Sequence, residues 1–196
     1  MRKTVTAALA LVLALAVLGT SGCGLFGSPM EDANAAIEAA NVHLRKYQES
    51  EDRVQKSATE LNSLNAVTPE EATKALTLVA DLKKELGDER TELQEASKEI
   101  SKIKGYDVDA TYKKYADLEV KAIAAQIAVV DEGEKLYVEM ERHYVSIKDG
   151  KSTTQLANEI LTKIDSISAN LTTLSQAAAK AKDEADAYFD KTEEQK

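Results

Sequence analysis

The chain has one cysteine, two prolines, two phenylalanines, two histidines and no tryptophan in 196 residues, and its acidic side chains outnumber the basic ones by 34 to 25. Each shortage excludes something. A lone thiol, Cys23, leaves no internal disulfide framework. Two histidines without a cysteine partner argue against a zinc site. They also fail the Glu-x-x-His spacing that holds di-iron centres in helical bundles, since Ala40 stands three residues before His43 and Met140 three before His143. Without tryptophan, the chain lacks the bulky residues that usually line a deep ligand cavity. The acidic excess speaks against nucleic acid, whose phosphates need clustered Lys and Arg. It speaks equally against docking of the protein body on anionic lipid.

What is present at the front is a leader. Arg2 and Lys3 precede a twelve-residue apolar run, Ala7 to Leu18, followed by Gly19, Thr20, Ser21 and Gly22, which is the order of a secretory signal peptide. Twelve residues are too few for the roughly 20 that span a bilayer core as a helix. "SGC", Ser21 to Cys23, resembles the lipobox of bacterial lipoproteins, with Thr20 where that motif prefers Leu. The resemblance implies that the Cys23 thiol receives a diacylglyceryl group and that cleavage between Gly22 and Cys23 makes the cysteine the new N-terminus. Two or more acyl chains anchor stably, at about 0.8 kcal/mol per buried CH₂. Residues 1–22 would then be the leader, 23–30 an acylated cysteine with a Gly/Ser/Pro tether, and 31–196 the body. The leader carries two basic and no acidic residues, so the remainder sets 23 basic against 34 acidic side chains, a net charge of −11.

The body reads as four long helices. In the first, about Glu31 to Leu64, the positions Ile37, Ala40, Leu44, Tyr47, Val54, Ala58 and Leu61 follow steps of three and four, interrupted at Glu51. Thr68, Pro69 and Glu71 form a capping box that starts the second. Its seam, Ala72, Ala75, Val79, Leu82, Leu86, Leu93, Ala96, Ile100 and Ile103, is broken only by Glu89 and keeps register across Gly87. Gly105 is expected to end this helix in the left-handed cap position, with Asp107 or Asp109 capping the next. The third helix, about Asp109 to Ile147, is apolar on most sides at "VKAIAAQIAVV" and should face several neighbours. After "KDGKS", Ser152 and Gln155 suggest another capping box. The fourth seam runs Ala157, Ile160, Ile164, Ile167, Leu171, Leu174, Ala178, Ala181, Ala185 and Tyr188. Short connections between long helices predict an all-α, elongated, antiparallel up-down-up-down four-helix bundle or coiled coil.

No catalytic residues emerge. "DVDATY" opens like a calcium loop, but Tyr112 and Leu118 stand where glycine and glutamate are required. "GKST" lacks the first glycine of a phosphate-binding loop, Val145 occupying that position. No G-x-S-x-G nucleophile elbow occurs. An enzyme is not expected, and no cofactor or metal is implied. Tyrosine is the remaining recognition residue: Tyr112 and Tyr115 lie one turn apart, Tyr137 and Tyr144 two turns apart. Such rings could stack on sugars of a glycan or wall polymer, or fill core and boundary positions with their hydroxyls in water.

"YKKYADLE", "EGEKLYVEM" and "STTQLANEILTKIDSISANL" resemble a family of helical lipoproteins of Gram-positive bacteria described as cell-wall-binding, the YkyA type. The resemblance covers about the second half of the body. It implies a surface lipoprotein, lipid-anchored at the outer face of the cytoplasmic membrane, whose partners are peptidoglycan or an envelope protein, with no catalytic residues. The expected role is non-catalytic binding or scaffolding in the cell envelope. Two other readings stand beside it. A small-ligand carrier or sensor would place a pocket near the polar seam positions Glu51, Glu89, Glu134 and Glu141. An oligomeric coiled-coil spacer would pair its helices between chains.

Overall fold

The computed structural model describes residues 28–193, so the expected leader, its expected cleavage point at Gly22 and the expected acylation site Cys23 lie outside the described residues. Helix α1, Pro29–Ser63, opens on a capping box. Ser28 Oγ accepts from Glu31 N at 3.2 Å, and Glu31 Oε2 accepts from Ser28 N at 2.8 Å. Pro29 fills the first helical position, where its missing N–H costs nothing. The helix thus takes Pro29 and Met30 from the stretch assigned to the tether.

Helix α2, Pro69–Ser101, begins with the expected box of Thr68 and Glu71, and α3, Ala110–Lys148, is capped by Asp109, whose carboxylate accepts from Thr111 N at 2.7 Å. Helix α4 is Thr154–Glu193. At about 1.5 Å per residue these elements are roughly 50–60 Å long. Gly87 lies inside α2 without interrupting it.

Two expected caps fall elsewhere. Gly105 is not left-handed: the only described glycine with positive φ is Gly150, at 66°. After Ser101 the chain tightens into a 3₁₀ turn, Lys102–Gly105, which keeps Ile103 fully buried and closes with Tyr106 N donating to Ile103 O at 3.2 Å. The left-handed glycine cap is instead the end of α3. There Gly150 N donates to Ile147 O at 3.0 Å and Lys151 N to Ser146 O at 2.9 Å, the paired bonds of a Schellman motif. Second, Thr153 and not Ser152 caps α4, accepting from Leu156 N at 3.2 Å. The helix starts one residue later because Ala157 N bonds the Thr153 carbonyl, at 2.9 Å.

The result is an antiparallel four-helix bundle in which α1 packs on α2, α2 on α3 and α3 on α4. The fourth side is open: no Cα of α1 lies within 8 Å of one of α4. The principal core belongs to the first three helices, built on Tyr47, Leu61, Val79, Leu82, Leu93 and Ile103. Helix α4 buries Ile160, Leu171, Ala178, Ala181 and Ala185 against α3. Among the described residues no helix is long and apolar enough to cross a membrane.

Candidate functional site

The polar positions that interrupt the helical seams separate into two groups. Glu134 and Glu141 face α2 across the closed α2–α3 side, where Arg90 donates to Glu134 at 2.6 Å and to Asp131 at 2.6 Å, and Lys83 to Glu141 at 2.8 Å. All five of these side chains keep substantial contact with water. Glu51 and Glu89 instead face the open side. On α2 the heptad places Glu89 at a core position, and it is only 4 % exposed. On α1 the interruption is shared: Ser50 takes the buried position, its hydroxyl donating to Glu85 Oε2 at 2.8 Å, and half-buried Glu51 turns toward the gap.

Between the flanks of α1 and α4 lies a cavity of about 70 Å³. Glu51 and Glu89 line it together with Tyr47, Gln126 and Tyr137. The remaining wall is mostly aliphatic, with Val54, Leu86, Val130, Leu136 and Leu171, and Gly133 contributes no side chain. Gln126 Nε2 donates to the Tyr47 hydroxyl at 2.5 Å, which ties α3 to α1 across the gap. Two polar atoms here are buried without a hydrogen-bond partner, Glu89 Oε1 and the Tyr137 hydroxyl. Tyr137 is 2 % exposed.

Burial sets the electrostatics. It pushes the Glu89 carboxyl up to about 8, assisted by the charges of Glu51 and Glu85 and opposed by Arg53. Arg53 is itself engaged, donating to Glu85 at 2.9 Å. Burial likewise raises Glu51 to about 7, with Asp52 adding to the effect. Burial first, then the fields of Glu51 and Glu89, lifts the Tyr47 hydroxyl well above the usual phenol range, and burial with the field of Glu89 does the same to Tyr137. The phenols therefore stay protonated and can act as hydrogen-bond donors, whereas the carboxyls titrate near neutrality. Glu85 shows the contrast: burial works against its charge, yet hydrogen bonds from Ser50 and Arg53 hold it below the ordinary carboxylate range.

A second polar cluster lies further along the same open side. Lys182 of α4 is only 7 % exposed; its ammonium donates to Glu119 Oε1 of α3 at 3.4 Å and to Asp186. Tyr47 and Gln126 line both this region and the larger cavity, so their hydrogen bond forms the partition between them.

No known protein family, curated protein or solved structure matches the chain.

Of the tyrosines singled out in the sequence, only Tyr137 reaches the cavity. Tyr112 is half-buried against the main core, Tyr115 packs on Phe189 with ring centroids 5.2 Å apart, and Tyr144 lies against His143 at 5.5 Å. The four do not make one aromatic face. His43 bonds Glu92 through Nδ1 at 2.6 Å, joining α1 to α2. Burial lowers the His143 basicity, and its Nδ1 is buried without a partner. Among the described residues no group of three or more His, Cys, Asp or Glu side chains is arranged to hold a metal. Tyr47 and Gln126 carried no signal in the sequence: one is an ordinary seam position, the other a glutamine in an apolar helix.

Proposed function

We propose that the chain is an exported lipoprotein, acylated on Cys23, that holds an acidic helical rod at the outer face of the bacterial cytoplasmic membrane and serves there as a non-catalytic binding or scaffolding component of the envelope. The supporting observation is the capped start of α1 at Pro29: only Gly24 to Gly27 separate Cys23 from Ser28, so the rod begins almost at the anchoring residue. With antiparallel helices in even number, the start of α1, the end of α4 and the Lys102–Gly105 turn share one end, and the Asn65–Thr68 and Asp149–Thr153 turns lie at the other. In this reading the far turns meet the partner first, with wall polymer or an envelope protein as the partner. Mass spectrometry of the protein isolated from its own membranes tests the anchor: a diacylglyceryl-modified N-terminal Cys23 is expected, and an unmodified thiol, or its loss with the leader, overturns the placement. Co-sedimentation with isolated wall material tests the partner.

The cavity on the open side favours a second reading, a small-ligand carrier or sensor. Its observation is the pair of partnerless polar atoms, Glu89 Oε1 and the Tyr137 hydroxyl, on two residues that line the cavity. Thermal unfolding of full-length protein carrying Cys23→Ser against a metabolite panel tests this reading, which predicts a rise in Tm with at least one compound and is abandoned if none acts.

A further inference from the structure

Along the open side the chain buries acidic groups twice and treats them differently. At Glu119 it supplies its own cation, the Lys182 ammonium, carried in on an aliphatic stem from α4. At Glu89, where α4 comes alongside with Leu171 and Ser175, it supplies none. Arg53, the cation whose field reaches Glu89, is bound to Glu85 instead. A buried carboxyl oxygen with no partner is costly, and native proteins keep few of them. The neighbouring Tyr137 hydroxyl is equally without a partner, and it comes from a different helix.

From this juxtaposition we propose that the cavity between Glu51, Glu89, Tyr47 and Tyr137 is a binding site for a small, unbranched aliphatic primary amine, whose ammonium takes at Glu89 the place that the Lys182 ammonium takes at Glu119. The chemistry fits each wall. An ammonium offers three donors, for which Glu89 Oε1, Glu51 and a tyrosine hydroxyl oxygen are acceptors. Tyrosine faces favour a cation electrostatically. The aliphatic residues suit a methylene stem. The size is restrictive: about 70 Å³ is roughly half of the cavity that admits benzene. That is room for an ammonium and the first carbons of a chain, with the remainder running along the gap. Two carboxyls with no third His, Cys, Asp or Glu beside them suit an ammonium better than calcium or magnesium, which take six or more oxygens.

The inference rests on reading the open side as a ligand site. The probe is 1,4-diaminobutane, with butylamine as a one-headed comparison, titrated calorimetrically into full-length Cys23→Ser protein at pH 7.5. Because ionised Glu89 is the form that holds the ammonium, binding should release close to one proton per amine, measured in buffers of different ionisation enthalpy. Glu89→Gln should weaken binding at least tenfold and remove most of the proton release, leaving only the smaller share of Glu51. Ser175→Leu, which leaves the carboxylates untouched and crowds the cavity from α4, should also weaken it at least tenfold; circular dichroism checks that both variants remain helical. Equal affinity for 1-butanol, binding unaltered in both variants, calcium binding with no amine binding, or no heat with either amine each overturns the proposal. Should the amines fail while an uncharged compound of the metabolite panel raises Tm, the carrier reading survives and only the ligand class is wrong; should every compound fail, both fall.

Discussion

Glu119 and Glu89 are both almost fully buried, yet they occupy opposite situations. One meets a lysine reaching across from the neighbouring helix; the other shares its cavity with two phenols, a glutamine and a second carboxyl, and with no cation. A structural ion pair and a buried acceptor without a protein partner thus lie along one bundle, separated by a single tyrosine–glutamine hydrogen bond. The difference teaches that an acidic residue at a heptad core position does not by itself mark either stability or function. What decides is whether the opposite helix carries the compensating charge. The α2–α3 side gives a third case, in which Glu134 and Glu141 keep their cations but remain wet.

The sharpest way to break the contrast is to make Glu119 like Glu89. Lys182→Met keeps the stem and removes the charge, and stripping one partner from a buried pair costs about 3–5 kcal/mol; urea unfolding should read a loss at the low end of that range, because Asp186 is half-exposed and shares the ammonium. The second test is pH. Glu89 is raised in the folded state to about 8 by burial and by Glu51 and Glu85, against Arg53, so between the unfolded carboxylate range and pH 8 the native state binds the extra proton. Stability is therefore full below about pH 4 to 5 as far as this group is concerned, and falls as pH rises toward 8, by up to about 1.4 kcal/mol per pH unit. Glu89→Gln should flatten that slope between pH 6 and 8, leaving the weaker contribution of Glu51, which is raised to about 7.

Gly133→Ala probes the cavity without touching charge. A methyl there would meet Leu86 Cδ1 at 3.6 Å, an ordinary contact, so the helix should gain about 1 kcal/mol from propensity while the cavity narrows. A loss of stability would show that this wall is tighter than described. The smallest effect belongs to the wet side: Arg90→Ala removes ion pairs to Asp131 and Glu134 that are largely in contact with water, and should cost no more than about 1 kcal/mol, with much of it gone in high salt.

Much of the fold was legible because it rests on local rules. The α2 seam from Ala72 to Ile100, including the misfit at Glu89, is buried as the spacing implies, and the Thr68–Glu71 box is formed. Every α4 seam position from Ala157 to Tyr188 is at least partly buried. The errors lie where tertiary contacts outweigh local preference. Ile103 holds its turn in the core, and the chain therefore passes Gly105 without using its freedom. Ser50 wins the α1–α2 position over Glu51 because Glu85 offers it a hydrogen bond. The site was half legible. Polar interruptions at Glu51 and Glu89 mark it, but their spacing is no different from that at Glu134 and Glu141, and no periodicity tells which side of a bundle is left unclosed.

That missing closure carries one more consequence. Since close backbone packing joins each helix only to the helix before and after it in sequence, and the Tyr47–Gln126 bond reaches no further than from α1 to α3, no close backbone contact has to wait for the first and last segments to find one another. Topologies of such low contact order assemble quickly. A chain delivered N-terminus first, from a ribosome or a translocation pore, can lay each new helix onto the one already formed, and finishes folding when its last turn emerges.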